Sequence, residues 1–256
     1  MNRLRISILM VLLILVACSG GEKLQVRHQV TGGIQTNCYL IFDAKSREAA
    51  LIDVAGRIDS LVMKIRDLDL EVKYLLCTHG HFDHIIGLPP IHKLFPRAEV
   101  VMHELDYQDI FTQKEWAEKN LGPEFMAYLK ADPERKKIFD FDPRTFPKPD
   151  IFPEDEQVLK LGSHKIKIYH TPGHSPGSVS FHVGNHLFSG DVLFYHTVGR
   201  TDVQNSSRQE LIITVKRLYD VLPDKTTVYP GHGKFTDIGL EKLENSRISI
   251  YGGEWL

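Results

Sequence analysis

Cysteine is scarce in this chain, with three among 256 residues, at Cys18, Cys38 and Cys77. A disulfide-stapled mini-domain is therefore not expected, and because Cys38 and Cys77 both sit in apolar, strand-like runs they are read as buried free thiols. An excess of charge of one sign is missing too. Lys and Arg number 31 against 33 Asp and Glu, and the basic residues are scattered with no run of them beside aromatic side chains, which argues against a nucleic-acid partner. No apolar run is long enough to span a bilayer. The run from Ile6 to Val16 falls short of the roughly 20 residues a spanning helix needs.

That run has another use. It follows Arg3 and Arg5 and reaches Leu15-Val16-Ala17-Cys18-Ser19, which resembles a bacterial lipoprotein signal. The resemblance implies removal of residues 1–17, acylation of Cys18 and a catalytic body held at a membrane in the cell envelope; Ser19 points to the outer membrane in a host with two. An ordinary cleaved secretory signal is the alternative. Without the two arginines of the signal, 29 basic residues face 33 acidic ones, a net charge of −4. Residues 18–27 are then a tether, and residues 28–256 are enough for one large single-core domain.

Within that domain Thr36 to Phe42 and Glu48 to Asp53 read as two strands around the polar turn 43–47. Ile58, Leu61, Val62, Ile65 and Leu68 recur at helical spacing and lead to an apolar strand, Val72 to Cys77. The second half repeats this plan. A hairpin, 178–182 with 186–189, ends at Asp191, and Ser207-x-x-Glu210 is a capping box that opens a helix with Leu211, Val215, Leu218 and Leu222 on one face. A strand, Thr226 to Tyr229, follows. Each half thus reads hairpin, Asp, helix, strand, His. Between them a further hairpin, 157–161 with 165–169, runs into Thr171-Pro172-Gly173-His174-Ser175-Pro176-Gly177. Residues 104–150 follow another rhythm and read as an inserted segment of one or two helices, a lid, a docking surface or a solvated decoration.

The chemistry is concentrated in His79-Gly80-His81-Phe82-Asp83-His84, directly after a strand. Neutral imidazole suits zinc and iron, and carboxylate oxygen completes such sites. Side chains two apart in an extended segment point the same way, so His79 and His81 can grip one ion. Asp83 and His84, where the chain turns into a helix, face elsewhere and can grip a second. In a layered α/β domain the strand ends converge on one edge, which brings Asp53, the His79 cluster, His174, Asp191 and His232 together.

These segments resemble the metallo-β-lactamase fold superfamily over about residues 28–245, and within it the glyoxalase II group and its one-domain relatives. Asn37-Cys38-Tyr39, Leu51-Ile52-Asp53, Ser189-Gly190-Asp191, Gly199-Arg200-Thr201-Asp202 and Pro230-Gly231-His232-Gly233 support the likeness. It implies a four-layer αββα sandwich of two mixed sheets. It also implies that His79, His81 and His174 hold one divalent ion, Asp83, His84 and His232 a second, and that Asp191 bridges them. Zinc leads, with iron and manganese open. A hydroxide between the ions would attack a carbonyl carbon of a thioester or other ester-like substrate, with Asp83 orienting it and Asp53 supporting a ligand or loop. Arg200 falls where glyoxalase II binds glutathione with a Lys, so it is expected to grip an anionic tail or to form a structural salt bridge; Tyr195 and His196 are further substrate-contact candidates. The chain ends 24 residues beyond His232, where glyoxalase II continues into a helical domain that contacts glutathione. Asp191 argues against a β-lactamase. Two rival classes remain: a mononuclear-iron persulfide dioxygenase, which would not need Asp83, His84 and His232 all as ligands, and a non-enzymatic surface lipoprotein.

Overall fold

Every residue of the strand Thr36–Phe42 is buried, which requires packing on both of its faces. The computed structural model describes residues 23–249 and supplies both neighbours. In chain order the first half comprises β1 (Gln25–Thr31), β2 (Thr36–Phe42), β3 (Glu48–Ile52), α1 (Asp59–Asp67), β4 (Glu71–Leu76), α2 (Phe82–Ile85), α3 (Leu88–Leu94) and β5 (Glu99–Val101). The inserted segment carries α4 (Glu104–Asp109), α5 (Gln113–Asn120), α6 (Pro123–Ala131) and α7 (Pro133–Phe139). The second half comprises β6 (Val158–Leu161), β7 (His164–His170), β8 (Val179–Val183), β9 (His186–Gly190), β10 (Leu193–Phe194), β11 (Thr197–Val198), α8 (Arg208–Val221), β12 (Thr227–Pro230), β13 (Thr236–Asp237) and α9 (Ile238–Glu244).

One sheet has the order β1-β2-β3-β4-β5 and the other β13-β12-β9-β8-β7-β6. Both are mixed: β3 runs parallel to β4 and β9 parallel to β12, while the hairpins are antiparallel. The repeated half-plan is therefore real at the level of topology. Alternation along β2 explains the layers, because successive side chains leave a strand on opposite faces. Leu40 joins Leu51, Leu75, Leu61 and Ile65 in the core under α1. Tyr39 and Ile41 join Ile52, Ile166, Ile168, Phe181 and Phe188 between the sheets. A third core sets Leu187 and Val228 against Leu211, Val215 and Leu218 of α8. Helix, sheet, sheet, helix is the αββα sandwich the resemblance implied.

Three expectations need correction or remark. The tether expected over 18–27 gives way to β1 at Gln25, three residues early. That strand sits at the sheet edge with a largely exposed, polar face, so its alternation is weak. The inserted segment forms four short helices rather than one or two. Gly122-Pro123 and Asp132-Pro133 divide it, since proline starts a helix well but cannot continue one, and Asp132 caps α7 by accepting from the Glu134 and Arg135 amides at 3.0 Å each. Cys18 and the signal lie outside the described residues. Cys38 and Cys77 are buried free thiols as read, and burial pushes the Cys38 thiol up to about 12.

Candidate metal centre

The strand β4 ends at Leu76, and the chain then passes over the sheet edge as the loop that carries His79 and His81 before α2 begins. Asp53, at the end of the neighbouring β3, holds that loop. One of its oxygens accepts from the Thr78 amide at 2.8 Å; the other accepts from the Thr78 hydroxyl at 2.7 Å and from His84 Nδ1 at 2.9 Å. Asp53 adopts a left-handed backbone (φ +53°), so its placement is strained and the surrounding contacts enforce it.

The second half brings its side chains to the same edge. His174 Nε2 lies 2.8 Å from His81 Nδ1, and His79 belongs to the same cluster. His84 Nε2 lies 3.2 Å from His232 Nε2, and Asp83 Oδ2 is 3.3 Å from His232 Nε2. Asp191 stands between: Oδ1 is 3.4 Å from His84 Nε2 and Oδ2 is 3.5 Å from His174 Nε2. Gly231 makes room for it, because a Cβ there would run into the Asp191 carboxylate and the His84 ring.

These contacts fit cations. His84 donates Nδ1–H to Asp53 and His174 donates Nδ1–H to the Arg200 carbonyl at 2.8 Å, so in each neutral ring Nε2 carries a lone pair. Those lone pairs point into the clusters, towards His81 Nδ1 and His232 Nε2, where each can accept a ring N–H or bind a cation. His79 Nε2 and Asp191 Oδ1 are buried with no hydrogen-bond partner, which is costly for a group not otherwise satisfied. The donors are five imidazoles and two carboxylates with no thiolate, a set that suits zinc, iron or manganese. Burial, then the neighbouring His84 and His81, holds the His79 ring well below the ordinary range, and burial and His174 take His81 down to about 3. Around His84 burial acts downwards as well, but the Asp191, Asp83 and Asp53 carboxylates outweigh it and raise the ring well above its usual value. One cluster favours neutral ligands and the other presents an anionic field.

Support comes from residues whose role the motifs did not reveal. Asp106 on α4 is buried; it accepts from the Gly80 amide at 2.7 Å, the Ser175 hydroxyl at 2.7 Å and the Gly177 amide at 2.5 Å. It thus clamps the His79–His81 loop to the His174 loop. Burial raises its carboxyl to about 6 despite those three donors. Asn37 donates its backbone amide to the Gly231 carbonyl at 2.7 Å and its side-chain amide to the Pro230 and Gly233 carbonyls at 2.9 and 3.1 Å. The Tyr39 hydroxyl donates to Pro230 at 2.6 Å, and His28, without an obvious partner in the sequence, bonds Asn37 Oδ1 at 2.8 Å. The Asn37-Cys38-Tyr39 motif is thereby explained: it pins the His232 loop across the sandwich.

A cleft of about 760 Å³ opens over the two clusters, lined by His81, Asp83, His174, Asp191 and His232 together with Phe125, Phe194 and Arg200. A space of similar size, about 790 Å³, lies beside α1 and α3 and touches none of the clustered side chains. Arg200 borders the cleft but is already gripped by Asp202, Nε to Oδ1 at 2.6 Å, and lies 5.3 Å over the Phe125 ring. Tyr195 and His196 do not line the cleft, contrary to their expected contact with substrate. His196 adopts φ +57° and its amide is held by Glu241 at 3.0 Å, a turn that sets Tyr195 edge-on to His196 and leaves Phe194 to face the site.

Comparison with known proteins agrees with this construction. The Metallo-beta-lactamase superfamily profile matches residues 31–232. The hydroxyacylglutathione hydrolase GloC of Haemophilus influenzae is 33% identical over 213 residues, covering 82% of this chain and 92% of that protein. Among solved structures, the BLEG-1 B3 metallo-beta-lactamase is 31% identical with a TM-score of 0.67, covering 86% of this chain and 98% of its own. The di-iron-bound form of TTHA1623 is 28% identical with a TM-score of 0.64, covering 88% and 100%. The chain belongs to the metallo-β-lactamase superfamily, whose members bind divalent metal at a His/Asp cluster of this kind. Within it, the chain is similar to the glyoxalase II-like GloC.

Proposed function

We propose that the protein hydrolyses a thioester or another ester-like bond at two divalent cations, zinc first among them. His79, His81 and His174 would hold one, Asp83, His84 and His232 the other, with Asp191 shared. The carrying observation is that Asp191 touches both clusters, with Oδ1 3.4 Å from His84 Nε2 and Oδ2 3.5 Å from His174 Nε2 and 3.6 Å from His232 Nε2. When bound, such ions lower the pKa of water from 15.7 to about 7 and polarise a carbonyl. The chain's own groups do the rest. Asp83 lines the cleft and orients the attacking water as well as serving as a ligand. Phe125, Phe194 and Val198 give the cleft apolar walls that shed bulk water. Arg200, with its side chain 45% exposed, keeps donor capacity for an anionic leaving-group tail. Acylation of Cys18, beyond the described residues, would complete the proposal by holding this cleft at the cell envelope.

The test is metal analysis of natively purified protein, followed by thioester, lactone, phosphodiester and β-lactam panels on the same sample. Two equivalents of metal and thiol release from thioesters are expected. One equivalent of iron with oxygen consumption on glutathione persulfide would instead establish the dioxygenase class. Turnover of a chromogenic cephalosporin at the rate of a dedicated lactamase would establish that class, which the BLEG-1 likeness makes worth including. Protein with neither metal nor any hydrolase activity would leave the surface-lipoprotein reading.

A further inference from the structure

A second cavity, of about 120 Å³, adjoins the cleft. Ile34, His81, Phe125 and Val203 border both spaces, so the smaller one lies against the larger beside His81, a ligand candidate for the first cation. Its walls come from the inserted segment, with Trp116 and Ala117 on α5, Leu121 beyond it and Phe139 on α7.

The polar residues at its border are mostly occupied. Gln113 donates to the Gly80 carbonyl at 3.1 Å and accepts from the Phe82 amide at 3.0 Å. Lys114 Nζ lies 4.8 Å from the centroid of the Phe139 ring. Gln204 donates to the Thr112 hydroxyl at 2.7 Å, which leaves its buried Oε1 as the one acceptor without a partner among these groups. A cavity so lined is poor in sites for water, which needs two to four polar partners.

We infer that this cavity is the acyl subsite, taking the apolar acyl chain of the substrate while the thiol or alcohol portion lies in the open cleft with Arg200. This rests on the ester-hydrolase reading, in which the acyl–sulfur or acyl–oxygen bond breaks, the oxygen of water joins the acyl carbon and the leaving group departs with a proton. At about 30 Å³ for each water-sized group, the space admits about four carbons. Each methylene that enters should raise kcat/KM about fourfold.

The full-length, metal-loaded protein is assayed with acetyl, butanoyl, hexanoyl and decanoyl thioesters of N-acetylcysteamine. kcat/KM is expected to climb about fourfold per methylene to a chain of four or so carbons and then to level or fall. Ala117→Phe fills the cavity and is expected to reduce the butanoyl-to-acetyl ratio about tenfold, while Leu121→Ala enlarges it and moves the optimum to longer chains. Rates independent of chain length, or a ratio that Ala117→Phe leaves intact, would overturn the inference. The second readout needs no turnover. In a Trp255→Phe background, pentanoate should change the emission of Trp116, and Ala117→Phe should abolish the change. No thioester cleavage with a responsive Trp116 would sink the hydrolase reading and keep an apolar-ligand subsite; thioester cleavage with a silent Trp116 would do the reverse.

Discussion

Asp191 reaches two ways with one carboxylate, so Asp191→Ala should lower bound metal from two equivalents to one or fewer, read by elemental analysis. Asp53 acts through His84 and Thr78, and Asp53→Ala should weaken metal binding about 10–100-fold, as loss of a ligand-orienting partner does. Asp106 makes a different prediction because its carboxyl is raised to about 6. A raised carboxyl favours folding while protonated; that contribution is complete below the unfolded value near 4 and is lost as pH rises through about 6. From pH 5 to 7.5 the stability of the wild type relative to Asp106→Asn should therefore fall by roughly 1.4 kcal/mol, measured by denaturant titration. A difference that does not vary with pH would refute it. The seven clustered side chains were legible because all of them sit in short motifs next to strands and turns. Asp106 was not, since a single Asp in the first turn of a helix looks like any solvated acid until tertiary contacts bury it.

The elements show the same division between local and distant causes. The helix Arg208–Val221 could be read from its cap and its apolar face, and the Ser207 hydroxyl does accept from the Glu210 amide at 3.2 Å. The edge strand Gln25–Thr31 could not, because its pairing with Thr36–Phe42 is written in the partner more than in itself. Nor could the loop function of Asn37, whose partners lie 193 and 196 residues away. Asn37→Ala removes the donors to the Pro230 and Gly233 carbonyls, the first bond buried and the second part-buried; it should cost about 2 kcal/mol, at about 1 kcal/mol per bond, and lower occupancy of the His232 side of the centre first. Equal loss of both ions would contradict this. The inserted helices were recognised as a break in rhythm, but their role as the wall of a chamber depends on where four short pieces pack.

Taken whole, the molecule carries its ligands on two halves that share a hairpin, helix and parallel-strand unit. Among the described residues no helix is long and apolar enough to cross a membrane. The proposed acylation of Cys18 makes a separate prediction. Cys18→Ala should move the protein from the membrane fraction to the soluble fraction and abolish labelling with a fatty-acid analogue. Stripping the metals should lower Tm as well, since a ligand at 100 times its Kd contributes about 2.7 kcal/mol.

His79, His81, Asp83 and His84 hang from one sheet and His174, Asp191 and His232 from the other. Bound ions would therefore act as a removable rivet through the seam of the sandwich, fastening at a point where the two leaves otherwise touch through loops. Chelation should loosen that seam before it melts either leaf. In hydrogen exchange, amides of the Gly173–Gly177 and Gly231–Gly233 turns should open first, while Leu75 and Phe181 stay protected.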